Sequence, residues 1–275
     1  GLVAHYPLDE TGGTVAADLT GSHNGTLTNM AGNEWSAGII DNSLAFDGTN
    51  QYVDIPSLAT LDASNLSISA WFKADPSQDT SHDIVNIEED FVLRVFDDGR
   101  VMASVSQDGG GWYSLFSSRT DLEDNRWHHA VLSYDDNAGI LRLYIDGILE
   151  TSLSGLTKGF YNGNNVRIGH QASGNTYRLK GSVDDVRIYN KALNANEVAL
   201  LIEESNVKFW DNEATLKETN QAENWIYDQA PDEDDVLIIG SSSENITWNS
   251  GLTASGIELR EGFNGSLKLE VQVTL

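Results

Sequence analysis

From Trp127 to Gly147 the chain reads WHHAVLSYDDNAGILRLYIDG, two alternating runs around the turn-tolerant cluster Asp135-Asp136-Asn137-Ala138-Gly139. Successive side chains of a strand point to opposite faces, so Trp127, His129 and Val131 share one face and Ala130, Leu132 and Tyr134 the other. The second run sets Leu141, Leu143 and Ile145 against Arg142, Tyr144 and Asp146. This predicts a β-hairpin with a further turn at Asp146-Gly147. A lone hairpin is only marginally stable in water, so more strands must flank it.

The same alternation recurs along the chain. Ala4, Tyr6 and Leu8 form a first strand ended by Gly12-Gly13, and Leu44 and Phe46 lead through Asp47-Gly48 to a returning strand with Val53 and Ile55. Leu66, Ile68, Ala70 and Phe72 face one way and Trp71 the other. Phe91, Leu93 and Val95 pair across Asp97-Asp98-Gly99 with Val101, Ala103 and Val105. Tyr113, Leu115 and Ser117 follow the Gly109-Gly110-Gly111 loop; Val166 and Ile168 come next, and Val183 to Tyr189 closes the series. Many short strands at near-regular spacing imply an all-β sandwich. One helix is expected, capped by Asn194 with Glu197 three residues on, stapled by Leu193 against Val198, and running through Leu201 and Ile202 to about Glu204.

The stretch 206–275 has a different rhythm. Short apolar runs at Asn224-Trp225, Val236 to Ile239, Ile246 to Trp248, Ile257 to Leu259 and Leu267 to Leu269 lie about ten residues apart. Two readings stay open: the first coils of a β-solenoid, in which each repeat needs a neighbour to bury its faces, or a compact β appendage. We therefore expect a domain over 1–205 and a β-rich segment over 206–275.

The ordered motifs LVAHYPLD (Leu2 to Asp9), LAFDG (Leu44 to Gly48), WHHAVLSYD, GILRLYIDG and DDVRIYN (Asp184 to Asn190) resemble the laminin-G-like and pentraxin-like branch of the concanavalin A-like jelly rolls. The resemblance implies an all-β, concanavalin A-like jelly-roll sandwich over 1–205, with a smaller C-terminal β segment. It also implies a secreted or cell-surface setting, but the fold hosts lectins, adhesion modules and enzymes alike. The C-terminal segment resembles the start of a solenoid in large bacterial surface proteins, and a longer multidomain chain is expected.

Charge narrows the partners. Lys and Arg total 16 against 42 Asp and Glu, a formal net charge of −26. Phosphate backbones need a basic footprint, so nucleic acid is a poor partner. No apolar run approaches the roughly 18 residues of a membrane span, so no membrane insertion is expected. The chain has no cysteine, which excludes disulfides and thiolate chemistry.

Acidic, glycine-rich loops suit calcium, which takes six to eight oxygens. Asp18 to Gly25 has this composition; the alternative for Asp18 and Asn24 is simple turn formation, in which their side chains bond nearby N–H groups. In similar jelly rolls the equivalent loop clasps a structural calcium together with an acidic residue of the DDVRIYN strand. Carried over, the resemblance implies Asp18, Gly21, Asn24, Asp184 and Asp185 as ligands, with Asp47 more peripheral; alternation does not say which of Asp184 and Asp185 points inward.

Carbohydrate recognition needs exposed aromatic faces beside orienting polar groups. Trp112 and Tyr113, then Phe160, Tyr161 and Asn162, then Tyr177 and Arg178 meet that description; the alternative is that Trp112 and Phe160 complete the core. His128 and His129 point to opposite faces and cannot share one metal. No carboxylate pair at glycosidase spacing and no nucleophile or nucleotide motif occurs. The expectation is a noncatalytic, calcium-stabilised extracellular module for carbohydrate or a protein ligand. The alternatives are a structural cap or spacer of an adhesin, or an accessory domain of a polysaccharide-degrading enzyme.

Overall fold

The computed structural model describes residues 1–21, 23–56, 58, 65–77, 80–159 and 165–205 and, beyond these, five strands. The chain divides into two compact units, Gly1–Val198 and Ala199–Leu275. The strands of the first unit are, in order, β1 (Leu2–Tyr6), β2 (Val15–Ala16), β3 (Gly25–Thr28), β4 (Trp35–Ala37), β5 (Asn42–Asp47), β6 (Tyr52–Ile55), β7 (Asn65–Ala74), β8 (His82–Ile87), β9 (Phe91–Val95), β10 (Val101–Ser106), β11 (Trp112–Phe116), β12 (His128–Asp135), β13 (Ile140–Ile145), β14 (Ile148–Ser154), β15 (Val166–Ile168) and β16 (Lys180–Tyr189).

They form two antiparallel sheets. One runs β14-β13-β12-β7-β16-β5-β4 with β1 also on β16, and the other β11-β10-β9-β8-β15-β6-β3-β2. Pairing of β7 with β16 and of β6 with β15 interleaves distant parts of the chain, the connectivity of a jelly-roll sandwich. The expected hairpin is present, with Ala130 opposite Ile145 and Leu132 opposite Leu143. Asp146 (φ +51°) and Gly147 (φ +84°) then make a two-residue turn into β14; such a turn matches the twist of its flanking strands.

Alternation decides which side chains enter the space between the sheets. Leu66, Ile68, Ala70 and Phe72 of β7, with Ala130, Leu132 and Tyr134 of β12, meet Phe91, Leu93, Val95, Val101, Ala103 and Val105 of the opposite sheet. A fully buried side chain of this size contributes about 1.5–3 kcal/mol, so this layer fixes the register of each strand. Slipping one position would turn the apolar set outward.

The helix α1 (Ala195–Glu204) starts as its composition requires. Glu197 N–H donates to Asn194 Oδ1, and Asn194 N–H donates back to Glu197 Oε2, both at 3.1 Å. Leu193, Val198, Leu201 and Ile202 are buried.

In the second unit the strands β17 (Val207–Phe209), β18 (Val236–Ile239), β19 (Ile246–Trp248), β20 (Gly256–Leu259) and β21 (Leu267–Leu269) pair in parallel, as β17-β18-β20 and β19-β21. The apolar run expected at Asn224-Trp225 lies outside the described residues. No helix among the described residues is long and apolar enough to cross a membrane.

Candidate functional site

The second sheet of the sandwich carries a groove on the side away from the core. Its floor is two rows of cross-strand neighbours: Asn86, Val92, Ser104 and Ser114 in one, Arg94 and Met102 in the other. These are the residues that alternate with core positions, and most are buried although they face outward. Ser104 and Ser114 join through their hydroxyls at 2.7 Å.

Arg94 is the charged centre of the floor. A bulge between Asp83 and Val85 accompanies an ion pair in which Arg94 Nε and Nη2 both donate to the Asp83 carboxylate, the latter at 3.2 Å. Asn86 Nδ2 donates to the same carboxylate at 2.8 Å, and Ala172 N–H donates to Asn86 Oδ1 at 3.3 Å. Arg94 and Asn86 are thereby held in place by the Asp83 carboxylate and the Ala172 N–H. Burial pushes the Asp83 carboxyl up, and Arg94 and Asn86 pull against that shift.

Two aromatic rings flank the floor. Trp112 opens β11 and is 45 % exposed; Tyr177, on the loop between β15 and β16, is 37 % exposed. The Arg94 guanidinium carbon lies 3.4 Å from the centre of the Tyr177 ring, a stacking contact that holds both groups. Gln171 and Ser173 complete a hollow of about 460 Å³, within the range of small-ligand sites.

Of the expected ligand-contacting residues, Trp112 and Tyr177 meet at this groove, and Arg178 lines the hollow beside it. Tyr113 does not: the next position on a strand faces the other way, and its ring packs against the core. Phe160, Tyr161 and Asn162 lie outside the described residues. Asn86, Asp83 and Arg94 were not legible as site residues, because every position of β8 and β9 is buried. The one signal is a polar residue set within an apolar strand, at no regular spacing.

The expected calcium ligands separate into three places. Asp18 organises its own loop: Oδ1 accepts from His5 N–H and Thr20 N–H at 2.9 and 3.0 Å, and Oδ2 accepts from the Thr20 hydroxyl and His23 N–H at 2.6 and 3.0 Å. Asp18 N–H in turn donates to Asn24 Oδ1 at 2.9 Å, and Gly21 N–H donates to the Asp18 carbonyl at 2.8 Å. Asp185 joins this side through His5 Nε2 at 2.6 Å and bonds Arg187. Asp47 is elsewhere, accepting from Thr49 N–H and its hydroxyl.

Asp184 points the other way. Its Oδ2 accepts from Ile39 and Ile40 N–H at 2.9 and 3.0 Å, while its buried Oδ1 has no hydrogen-bond partner. Burial, then the neighbouring Asp185 and Asp9 charges, push its pKa up to about 8 against the turn's N–H bonds. Asp9 accepts from Asn42 N–H at 3.1 Å, and a Cβ at Gly38 would collide with Asp184 Oδ2 and the Asn42 carbonyl. An orphaned carboxylate oxygen, with the Asp9 charge near enough to raise its pKa and the Asn42 carbonyl close to the other oxygen, is the kind of oxygen donor set a hard cation takes. No group of three or more His, Asp or Glu side chains placed to hold a metal occurs among the described residues.

The tandem histidines diverge as expected. His129 Nε2 meets Ser69 Oγ at 2.8 Å and lies against Trp71; burial pushes its pKa down to about 4, so the ring is neutral. His128 has carboxylate partners that the sequence did not reveal, Asp146 at 3.0 Å and Asp124 at 3.3 Å. The turn after β13 and the loop before β12 bring them together.

The family model of the concanavalin A-like lectin/glucanases superfamily, Laminin_G_3, matches residues 47–199. No curated protein matches the chain. Among solved structures, the binding domain of Paraclostridial Mosquitocidal Protein 1 superposes with a TM-score of 0.61 at 19 % identity, over 74 % of this chain and 52 % of that one. The botulinum neurotoxin serotype D binding domain gives 0.58 at 15 % identity, over 76 % and 56 %. The serotype D ligand binding domain in complex with N-acetylneuraminic acid gives 0.56 at 15 %, over 74 % and 51 %. The chain spans about half the length of these structures.

Proposed function

Because the chain belongs to the concanavalin A-like lectin/glucanases superfamily, we propose that it is a noncatalytic, extracellular binding module that holds carbohydrate between Trp112 and Tyr177. The observation that carries this reading is the pairing of two half-exposed rings with a floor of fixed polar groups. Sugar rings present apolar C–H faces and polar rims, so stacking supplies contact area and the amides and guanidinium read the hydroxyls. Side chains already held by one another lose little freedom when ligand binds, which lowers the ordering cost. A sugar ligand, though not the charge of that sugar, is in keeping with the structural neighbour in complex with N-acetylneuraminic acid.

We further propose that calcium is structural here. Asp184, Asp9 and carbonyls of the 38–42 turn would hold it, and the bound ion would supply the positive charge that keeps Asp184 ionised. The proposed role is distant from sugar contact: it fixes the 38–42 turn against β16. A second reading, a cap or spacer in a longer adhesin, draws on the parallel ladders β17-β18-β20 and β19-β21, since such stacking suits repeat architectures.

A glycan array and affinity gels, run with calcium and with chelator, test the first reading. Retention on a glycan that is lost in Trp112→Ala and Tyr177→Ala supports it; no retention on any glycan favours the spacer. Release of reducing ends from a bound glycan would overturn the noncatalytic assignment.

A further inference from the structure

The groove does not stop at its two aromatic walls. A second hollow of about 490 Å³, lined by Gln107, Asp108 and the Gly109-Gly110-Gly111 loop, shares Glu89 and Trp112 with the first. A third, about 340 Å³, is lined by Thr80, Asn175, Thr176 and Arg178 and shares Tyr177. The three are therefore consecutive, with one ring at each junction. An aromatic side chain at the boundary of adjacent hollows can stack on a unit of a chain that continues past it on both sides.

The charges along this path are specific. Arg94 is taken up by Asp83, so the middle hollow has no net positive charge from that pair. Glu89 and Asp108 are exposed, and neither forms an ion pair among the described residues. The rest of the path offers Gln107, Gln171, Ser173, Asn175 and Thr176, which donate and accept as neutral hydroxyls do. Arg178 stands only at the far end. A carboxylated or sulfated chain would place like charge against Glu89 and Asp108, on a protein whose net charge is already −26.

We propose that this path binds a linear, uncharged oligosaccharide of at least three units, and that Glu89 and Asp108 exclude acidic glycans. The inference rests on the carbohydrate reading above. The two separate by experiment: calorimetric titration of the full chain with neutral gluco- and manno-oligosaccharides, from disaccharide to hexasaccharide, beside oligogalacturonates of equal length and sialyllactose. Affinity for a neutral series should rise at least about tenfold from disaccharide to the longer members and then level off, with the acidic series at least about tenfold weaker. Glu89→Gln should narrow that gap, and Trp112→Ala should flatten the length dependence; both sites are exposed, and unchanged melting would show that the fold persists. Binding that is independent of length, or stronger for the acidic series, overturns the inference and leaves the carbohydrate reading standing. Binding to none of these sugars overturns both.

Discussion

Replacing Asp83 with Ala isolates the electrostatic frame of the groove. Asp83 is fully buried and Arg94 is 8 % exposed, so removing the carboxylate leaves a guanidinium with no compensating charge in a place largely closed to water. Breaking a buried pair from one side destabilises by about 3–5 kcal/mol, because the remaining charge keeps its desolvation penalty without its partner. The Tyr177 ring is stacked on the guanidinium in the parent as well, so that contact does not offset the loss. Replacing both residues with apolar ones, Asp83→Leu with Arg94→Met, removes the stranded charge and should leave stability within about 1–2 kcal/mol of the parent.

Urea unfolding reads the difference. With a slope of roughly 3 kcal/mol per molar, the single variant should lower the midpoint by about 1–1.7 M, and the double variant by much less. Sugar binding should distinguish the two contributions: the double variant stays folded yet loses the fixed donor and the Tyr177 support. A loss below about 1 kcal/mol in Asp83→Ala would mean that water reaches Arg94 and the frame is not rigid. Equal losses in the single and double variants would refute the argument from a stranded charge.

Three further outcomes are expected. In chelator, stability should fall as pH rises from about 4 towards about 8, by up to about 1.4 kcal/mol per unit. The sign follows because Asp184, with its folded pKa raised to about 8, holds a proton that the unfolded chain has released. Asp184→Asn should flatten that slope, and added calcium should flatten it too by holding the carboxylate ionised, both read by thermal melting. Gly169→Ala should destabilise by about 1–3 kcal/mol, since its φ is +83° and a Cβ would overlap the Phe46 ring. Asn194→Ala should lower stability by about 1 kcal/mol through loss of the reciprocal cap, measured in the same melts.

The architecture was legible wherever one face of a strand is apolar and the other is not. Alternation placed Ala130, Leu132 and Tyr134 inward, and the Asn194 to Glu197 spacing located the helix start. β8 escaped notice because His82–Ile87 is buried at every position, so its polar members Asp83 and Asn86 break no visible rhythm. Trp112 and Tyr177 were legible as aromatics beside loops, but Tyr113 required the phase of β11, which a glycine-rich approach leaves open. For the acidic pair of β16, local pattern was insufficient. Asp185 has φ +45° at a break in register, so Asp184 and Asp185 diverge in a way that strand alternation does not encode.

The groove and the orphaned carboxylate use the same resource in different ways. Each is a polar group embedded in a sheet whose other side is a packed core, so neither can move without disturbing strand register. At Arg94 the protein carries its own counter-charge in Asp83, and the result is a site whose charged floor is held in one geometry. At Asp184 no side chain among the described residues supplies that counter-charge, and burial with the Asp185 and Asp9 charges favours its protonated form. A sandwich built this way should tolerate substitution of its exposed ligand-facing rings while remaining sensitive to the buried charges behind them. Trp112→Ala and Asp83→Ala are the pair that tests this: the first should weaken binding with little change in stability, and the second should weaken both.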